Sequence, residues 1–133
     1  MKTDLVRGCL YALLLVLQPL AAGNVSAETP RPQVRLLVQS SALAGYRYHE
    51  AKAHWGEFAR GDALALVREP DNPHDPGAIA VFWRNHKLGY VPRSQNAALA
   101  WAMDRGEQVS ARISALRAEP NPRKRVEFEV FVE

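Results

Sequence analysis

Residues 66–93, running from Leu66 to Arg93, read LVREPDNPHDPGAIAVFWRNHKLGYVPR and place a proline-bracketed polar loop between two strand-like runs. Pro70, Pro73 and Pro76 each fix φ and remove a backbone donor, so Glu69 to Gly77 can extend neither neighbouring strand. Asn72-Pro73 and Asp75-Pro76-Gly77 are turn chemistry, because short polar side chains hydrogen-bond the backbone two residues further on. Gly77 is expected to take a positive φ there. Beyond the loop, Ile79, Val81 and Trp83 alternate as one face of a strand. Asn85 and His86 are placed to turn a hairpin, and Lys87 to Val91 returns along it with Gly89 at a demanding position.

The same period of two recurs on both sides of this stretch. Val34, Leu36 and Val38 alternate with Arg35 and Gln39, and Leu64 and Leu66 sit in a short apolar run. Val109, Ala111, Ile113 and Ala115 form another row. In the last strand Val126, Phe128, Val130 and Val132 oppose Glu127, Glu129 and Glu133, with Phe131 as the exception. One helix interrupts the strands: Ser94 is its expected N-cap, Ala97 to Met103 its body and Gly106 its stop. Ala51, Trp55 and Phe58 recur at helical spacing and predict a second, shorter helical turn between Glu50 and Phe58. Five or six short strands around a central helix predict a mainly β chain with one or two short helices, folded as a small OB-like β-barrel.

The first residues predict a compartment. Lys2 and Arg7 precede an apolar run from Leu10 to Leu17, followed by Pro19 and by Val25-Ser26-Ala27, small residues of the kind signal peptidase requires. Residues 1–27 thus read as a cleaved signal peptide that exports the protein to the periplasm or the medium. The apolar run is shorter than the roughly 20 residues a bilayer span needs, and no integral membrane partner is expected. Residues 28–33, ETPRPQ, form an extended lead-in, and 34–133 a single domain. Cys9 is the one cysteine of the chain and would leave with the signal peptide, so a mature domain has no disulfide and relies on its core. Formal net charge is only +3, and cleavage removes Lys2, Asp4 and Arg7. Such a balance excludes a broad electrostatic footprint for duplex DNA; any nucleic-acid contact must be local.

Taken in order, Arg68-x-Pro70-x-Asn72-Pro73-x-Asp75, Ala78-Ile79-x-Val81, Gly89-Tyr90 and a helix near Ser94 resemble the HIRAN domain, a DNA-end-binding module with an OB-like barrel. Looser similarity runs from Leu36 to Ile113. The resemblance implies that Arg47 and Tyr48 match an arginine-tyrosine pair before the first loop, that Asn72 and Asp75 are the polar residues of the Asn-Pro-x-Asp loop, and that Tyr90 and Arg93 follow the hairpin glycine. His74 stands in that loop where family members with end-binding activity carry tyrosine, and His49 where a second tyrosine often follows the first. Arg47, Tyr48, Asn72, His74, Asp75, Tyr90 and Arg93 are therefore the expected nucleic-acid-binding residues. The expected ligand is a single-stranded DNA 3′ end: aromatic faces for the terminal base, an acceptor for its hydroxyl and a few donors for phosphates.

Two further readings stand beside it. An exported envelope protein would use the same groove for a peptide or glycan, and a small secreted nuclease would use Asp71, His74 and Asp75 as a carboxylate-histidine base. No nucleophile elbow or phosphate-cradling glycine loop accompanies them, so no catalytic residue is assigned. His49, His54, His74 and His86 lack paired ligand spacing, so neither a metal site nor a cofactor is expected. The Arg123-Lys124-Arg125 run reads as a solvated turn. N-terminal sequencing of the fractionated protein should find it outside the cytoplasm and beginning near Glu28; a cytoplasmic product beginning at Met1 contradicts the export reading.

Overall fold

The structure, a computed structural model, describes Gly23 and residues 29–133. The expected signal peptide, its cleavage site and Glu28 lie outside the described residues. Chain contacts separate Met1–Arg31 from Pro32–Glu133, and the fold is that of the second unit. Residues 29–35 carry no regular structure and are exposed.

Six strands and two short helices follow: β1 Leu36–Ala42, α1 Ala51–His54, β2 Ala63–Arg68, β3 Ile79–Trp83, β4 His86–Tyr90, α2 Ala97–Asp104, β5 Val109–Leu116 and β6 Val126–Val132. They form one antiparallel sheet in the order β1-β6-β5-β2-β3-β4. The ladder itself is open, but the chain leaving β1 crosses to the opposite edge. There Ala44 and Tyr90 exchange both backbone hydrogen bonds at 2.9 Å. This two-bond seam gives the sheet the barrel-like curl expected from the sequence. It exists because residue 89 has no side chain: a Cβ there would lie 2.1 Å from the Ala44 carbonyl oxygen.

The core is built from the rows the sequence predicts. Ile79, Val81 and Trp83 from β3, Ile113 from β5, and Val126, Phe128 and Val130 from β6 are all buried, with Leu99 and Ala100 of α2 packed into the same cluster. The outward glutamates of β6 pair across the sheet, Glu129 with Arg112 at 3.0 Å and Glu127 with Arg117 at 2.7 Å. Phe131 breaks the alternation because it belongs to that outer face, where the Arg112 guanidinium lies over its ring at 4.9 Å.

Several local expectations are displaced. β1 begins at Leu36, and Val34, Leu36, Leu37 and Val38 are all exposed rather than alternating in and out. A bulge between Leu37 and Gln39 spoils the period there. The β3–β4 hairpin turns at Arg84 and Asn85, both at positive φ, as a two-residue turn with Trp83 opposite His86. His86, expected in the turn, is already in the strand, so the turn falls one residue earlier than expected. Ser94 lies in a 3-10 turn, Arg93–Gln95, so the cap falls two residues later, at Asn96, while the helix body starts at Ala97 as expected. Gly106 ends it as expected, at φ 88° with its N–H donated to the Met103 carbonyl. The short helical turn after Glu50 is α1 followed by a 3-10 turn, Trp55–Glu57.

Gly89→Ala should therefore open the seam. Crowding one well-packed backbone contact costs roughly 1–3 kcal/mol, and loss of two backbone hydrogen bonds adds about 1 kcal/mol each. Urea denaturation should show the variant at least about 2 kcal/mol less stable; an unchanged midpoint contradicts the closure described.

Candidate nucleic-acid interface

The polar loop is a stack of nested turns. Backbone N–H groups of Asn72, Asp75 and Ala78 each donate to the carbonyl three residues earlier, and Glu69 N–H donates to Ala78 O at 2.9 Å. Asn72 Oδ1 accepts from His74 N–H and Asp75 Oδ1 from Gly77 N–H, both at 2.9 Å. Arg68 clamps the loop from below. Its guanidinium donates to the carbonyls of Ala78 and Pro76 at 2.8 and 3.0 Å and forks onto both carboxylate oxygens of Asp104 at the end of α2. That fork, opposed by desolvation, raises the Arg68 pKa still further above its ordinary range.

Gly77 meets its constraint by space rather than by φ, since it is absent from the positive-φ positions. A Cβ would sit 3.1 Å from Asn96 Oδ1 and 3.3 Å from Asp75 Oδ1. Asn96, buried at the foot of α2, donates through Nδ2 to Asp75 Oδ2 at 2.7 Å. Both carboxylate oxygens of Asp75 thus hold structure, and each keeps a lone pair for a ligand.

A charged network joins the base of the loop to β4. Tyr90 donates its hydroxyl to Glu69 Oε1 at 2.8 Å, while Lys87 Nζ donates to Glu69 Oε2 at 2.8 Å and to the Tyr90 hydroxyl at 2.6 Å. Asn72 Nδ2 also donates to Glu69 Oε1, at 3.1 Å. Burial pushes the Glu69 carboxyl up, but hydrogen bonds from Lys87, Tyr90 and Asn72 outweigh it and hold the pKa below the usual value. Burial likewise lowers Lys87, and its bonds to Glu69 and Tyr90 raise it more. The Tyr90 ring is fixed as a result, with the Lys87 ammonium over it at 4.5 Å and the His49 ring against its edge at 5.4 Å.

These pieces enclose a hollow of about 590 Å³. Tyr48, Asn72, His74, Asp75, Tyr90 and Arg93 all line it, six of the seven residues expected from the sequence, together with His49 and the apolar floor of Ala44, Ala78 and Val91. Tyr48 is 85% exposed, so its ring is free to stack. Arg47 is the exception. It lines two adjoining hollows, one with Tyr46, Tyr48 and Arg123, the other with Tyr46, Lys52 and Arg125. Tyr48 is shared between the first of these and the main cleft, so a basic surface begins where the aromatic wall ends. Arg125 of the basic run is packed over the Tyr46 and Trp55 rings at 5.6 and 5.4 Å. The floor residues were not assigned from the sequence, and His49 was placed only as a substituted aromatic position. The seam at Ala44, which Gly89 permits, is what carries them there.

A curled six-stranded sheet with a cleft between its seam and a proline-rich loop defines a small barrel-like fold. The chain belongs to the HIRAN domain family, whose model matches residues 36–133. It is similar to a Fanconi-associated nuclease 1 homolog of Oryza sativa subsp. japonica, 34% identical over 73 residues, which is 52% of this chain and 7% of that protein. Among solved structures it is similar to a protein from Lactobacillus plantarum, with TM-score 0.65, 28% identity and coverage of 74% of this chain and 95% of the other. The HIRAN domain of human HLTF shares the fold, with TM-score 0.57, 24% identity and coverage of 74% and 78%.

His49 supplies a titration test. Burial, and then the nearby Lys87 charge, lower its pKa below the ordinary imidazole value, against a smaller opposing effect of Glu69. As pH falls through about 6.5 the unfolded chain takes up this proton first. The fold then loses stability down to the lower folded pKa and no further below it. NMR titration should place His49 below about 6.5, and Lys87→Met should move it upward; no movement contradicts the assigned charge effect.

Proposed function

We propose that the cleft binds the 3′ end of single-stranded DNA and that the protein is a binding module rather than an enzyme. The convergence of Tyr48, Asn72, His74, Asp75, Tyr90 and Arg93 on one hollow carries this reading. Tyr48 and the two imidazoles offer faces for unstacked bases. The carboxylate of Asp75 keeps acceptor capacity for a terminal hydroxyl, and Arg93 with the basic surface around Arg47 and Arg123 offers donors to the phosphates behind it. Family membership supports a nucleic-acid ligand, as does similarity to a protein named as a nuclease; that similarity spans 7% of the relative, so its activity is not carried across. Asp75 is tied to Gly77 and Asn96, which suits it to holding a loop more than to cycling protons as a nuclease base.

A second reading, an envelope protein that takes a peptide or glycan in the same groove, is favoured by His49 and His74 in place of stacking tyrosines and by the proposed export. Imidazole covers less of a base than phenol does.

Fluorescence anisotropy with labelled oligonucleotides separates the two. A free 3′-hydroxyl should bind more tightly than a 3′-phosphate, which would bring a negative group against Asp75, and the salt dependence should be shallow because few phosphates are neutralised. Tyr48→Ala should weaken binding by about 1–3 kcal/mol. Asp75→Asn, a tempting probe of hydroxyl recognition, also forces the Asn96 amide to turn over and must be read beside a melting curve. Equal binding of free and blocked ends, or none at low salt, overturns the DNA-end reading and promotes the envelope ligand.

A further inference from the structure

On the far side of the β3–β4 hairpin from the cleft's polar loop, the fold assembles a cluster that sequence spacing hides. His54 ends α1 and His86 begins β4. Their rings lie 4.0 Å apart, tilted by 35°. Glu50 completes the group, and one ligand atom from each of Glu50, His54 and His86 lies within 4.8 Å of the others. We propose that these three side chains bind a divalent first-row transition cation, zinc being the natural occupant, as a clip between α1 and the hairpin.

Two imidazoles and a carboxylate are the donor set that borderline cations such as zinc prefer over oxygen-seeking magnesium or calcium. Ligand atoms around tetrahedral zinc stand about 3.3–3.5 Å apart, given bonds of about 2.0–2.2 Å. Closing the present separation of up to 4.8 Å to that requires the His54 and His86 rings, 4.0 Å apart between centroids, to splay while Glu50, whose side chain is half exposed, turns toward His54. The rest of the cluster is already held in place. Glu50 N–H donates to Lys87 O at 2.9 Å and Glu50 Oε2 accepts Lys87 N–H at 3.0 Å, so the segment before α1 is pinned to β4 from both directions. His54 Nδ1 lies 2.6 Å from Glu57 Oε2. With Glu57 accepting from Nδ1, Nε2 of His54 is the atom left for a metal, which is the usual carboxylate support of a ligating histidine. Buried Trp83 backs both rings, at 5.6 Å from His54 and 6.1 Å from His86. His86 Nδ1 meets Glu50 Oε1 at 3.2 Å, a weak contact that gives way when both bind one ion. Three protein ligands leave a fourth position for water. The site involves none of the residues lining the DNA cleft apart from the backbone continuity of the hairpin, so it stands or falls independently of the proposed function.

Isothermal titration calorimetry of the untagged full chain with zinc chloride, after treatment with a chelator, tests it. One saturable site per chain is expected. His86→Ala should weaken it by about a hundredfold or more, and Glu57→Gln, which removes only a positioning partner, by about 10- to 100-fold. Glu50→Gln keeps an oxygen for the Lys87 N–H and so guards against misfolding; it should weaken binding at least about tenfold. Cys9→Ser should leave the titration unchanged. Absence of a saturable heat, or binding that survives His86→Ala and Glu50→Gln, or binding lost in Cys9→Ser, overturns the proposal.

Discussion

Everything that makes a cleft in this protein depends on two backbone hydrogen bonds between Ala44 and Tyr90, and these depend on Gly89. A sheet in the order β1-β6-β5-β2-β3-β4 has its two edges at opposite ends, and only the chain just past β1 reaches back to β4. Any side chain at residue 89 would meet the Ala44 carbonyl at 2.1 Å. The seam brings Tyr48 and His49, from the segment after β1, to face Asn72, His74 and Asp75, from the loop after β2. Without it these residues would line separate edges of an open sheet.

The loop is then held by ordinary polar chemistry. Arg68 spends its donors on two loop carbonyls and on Asp104, and Asp75 uses one oxygen on a turn and the other on buried Asn96. At the base of the loop, Glu69 joins Lys87 and Tyr90 of β4 in a closed triangle. Such partly buried networks fix side-chain positions because an unpaired member is costly. The result is a cleft whose walls are set before a ligand arrives, which limits the ordering cost of binding. Its exposed elements are Tyr48, His74 and Arg93, the side chains that a bound base and phosphate would order.

Much of this was legible in the sequence. The alternating rows of β3, β5 and β6 identified their buried faces, Gly106 its helix end, and the order of motifs around Asn72 and Gly89 both the family and six of the residues that meet in the cleft. Period-two reading failed at β1, where a bulge and exposure on both faces leave Leu36, Leu37 and Val38 uncovered. It missed the cap of α2 by two residues because a 3-10 turn intervenes after Pro92. Gly77 looked like a φ requirement and is a packing one, a difference that only the position of Asn96 reveals. Arg47 immediately precedes Tyr48 in sequence but faces the neighbouring hollow, since adjacent residues in this tight turn diverge. The grouping of His54 with His86 was invisible for a related reason: the two are joined through tertiary packing on Trp83, not through any local spacing.

The proposed function requires that this cleft, and no other surface, receive the end of a single strand. Amide chemical-shift mapping of the isotope-labelled protein with a short oligonucleotide bearing a free 3′-hydroxyl addresses it directly. The account predicts perturbations concentrated on Tyr48 and His49, on Asn72 to Gly77 and on Tyr90 to Arg93, with weaker effects reaching Arg47 and Arg123. Perturbations gathered instead on the exposed apolar edge at Leu36 to Val38, or spread evenly over the surface, would contradict it.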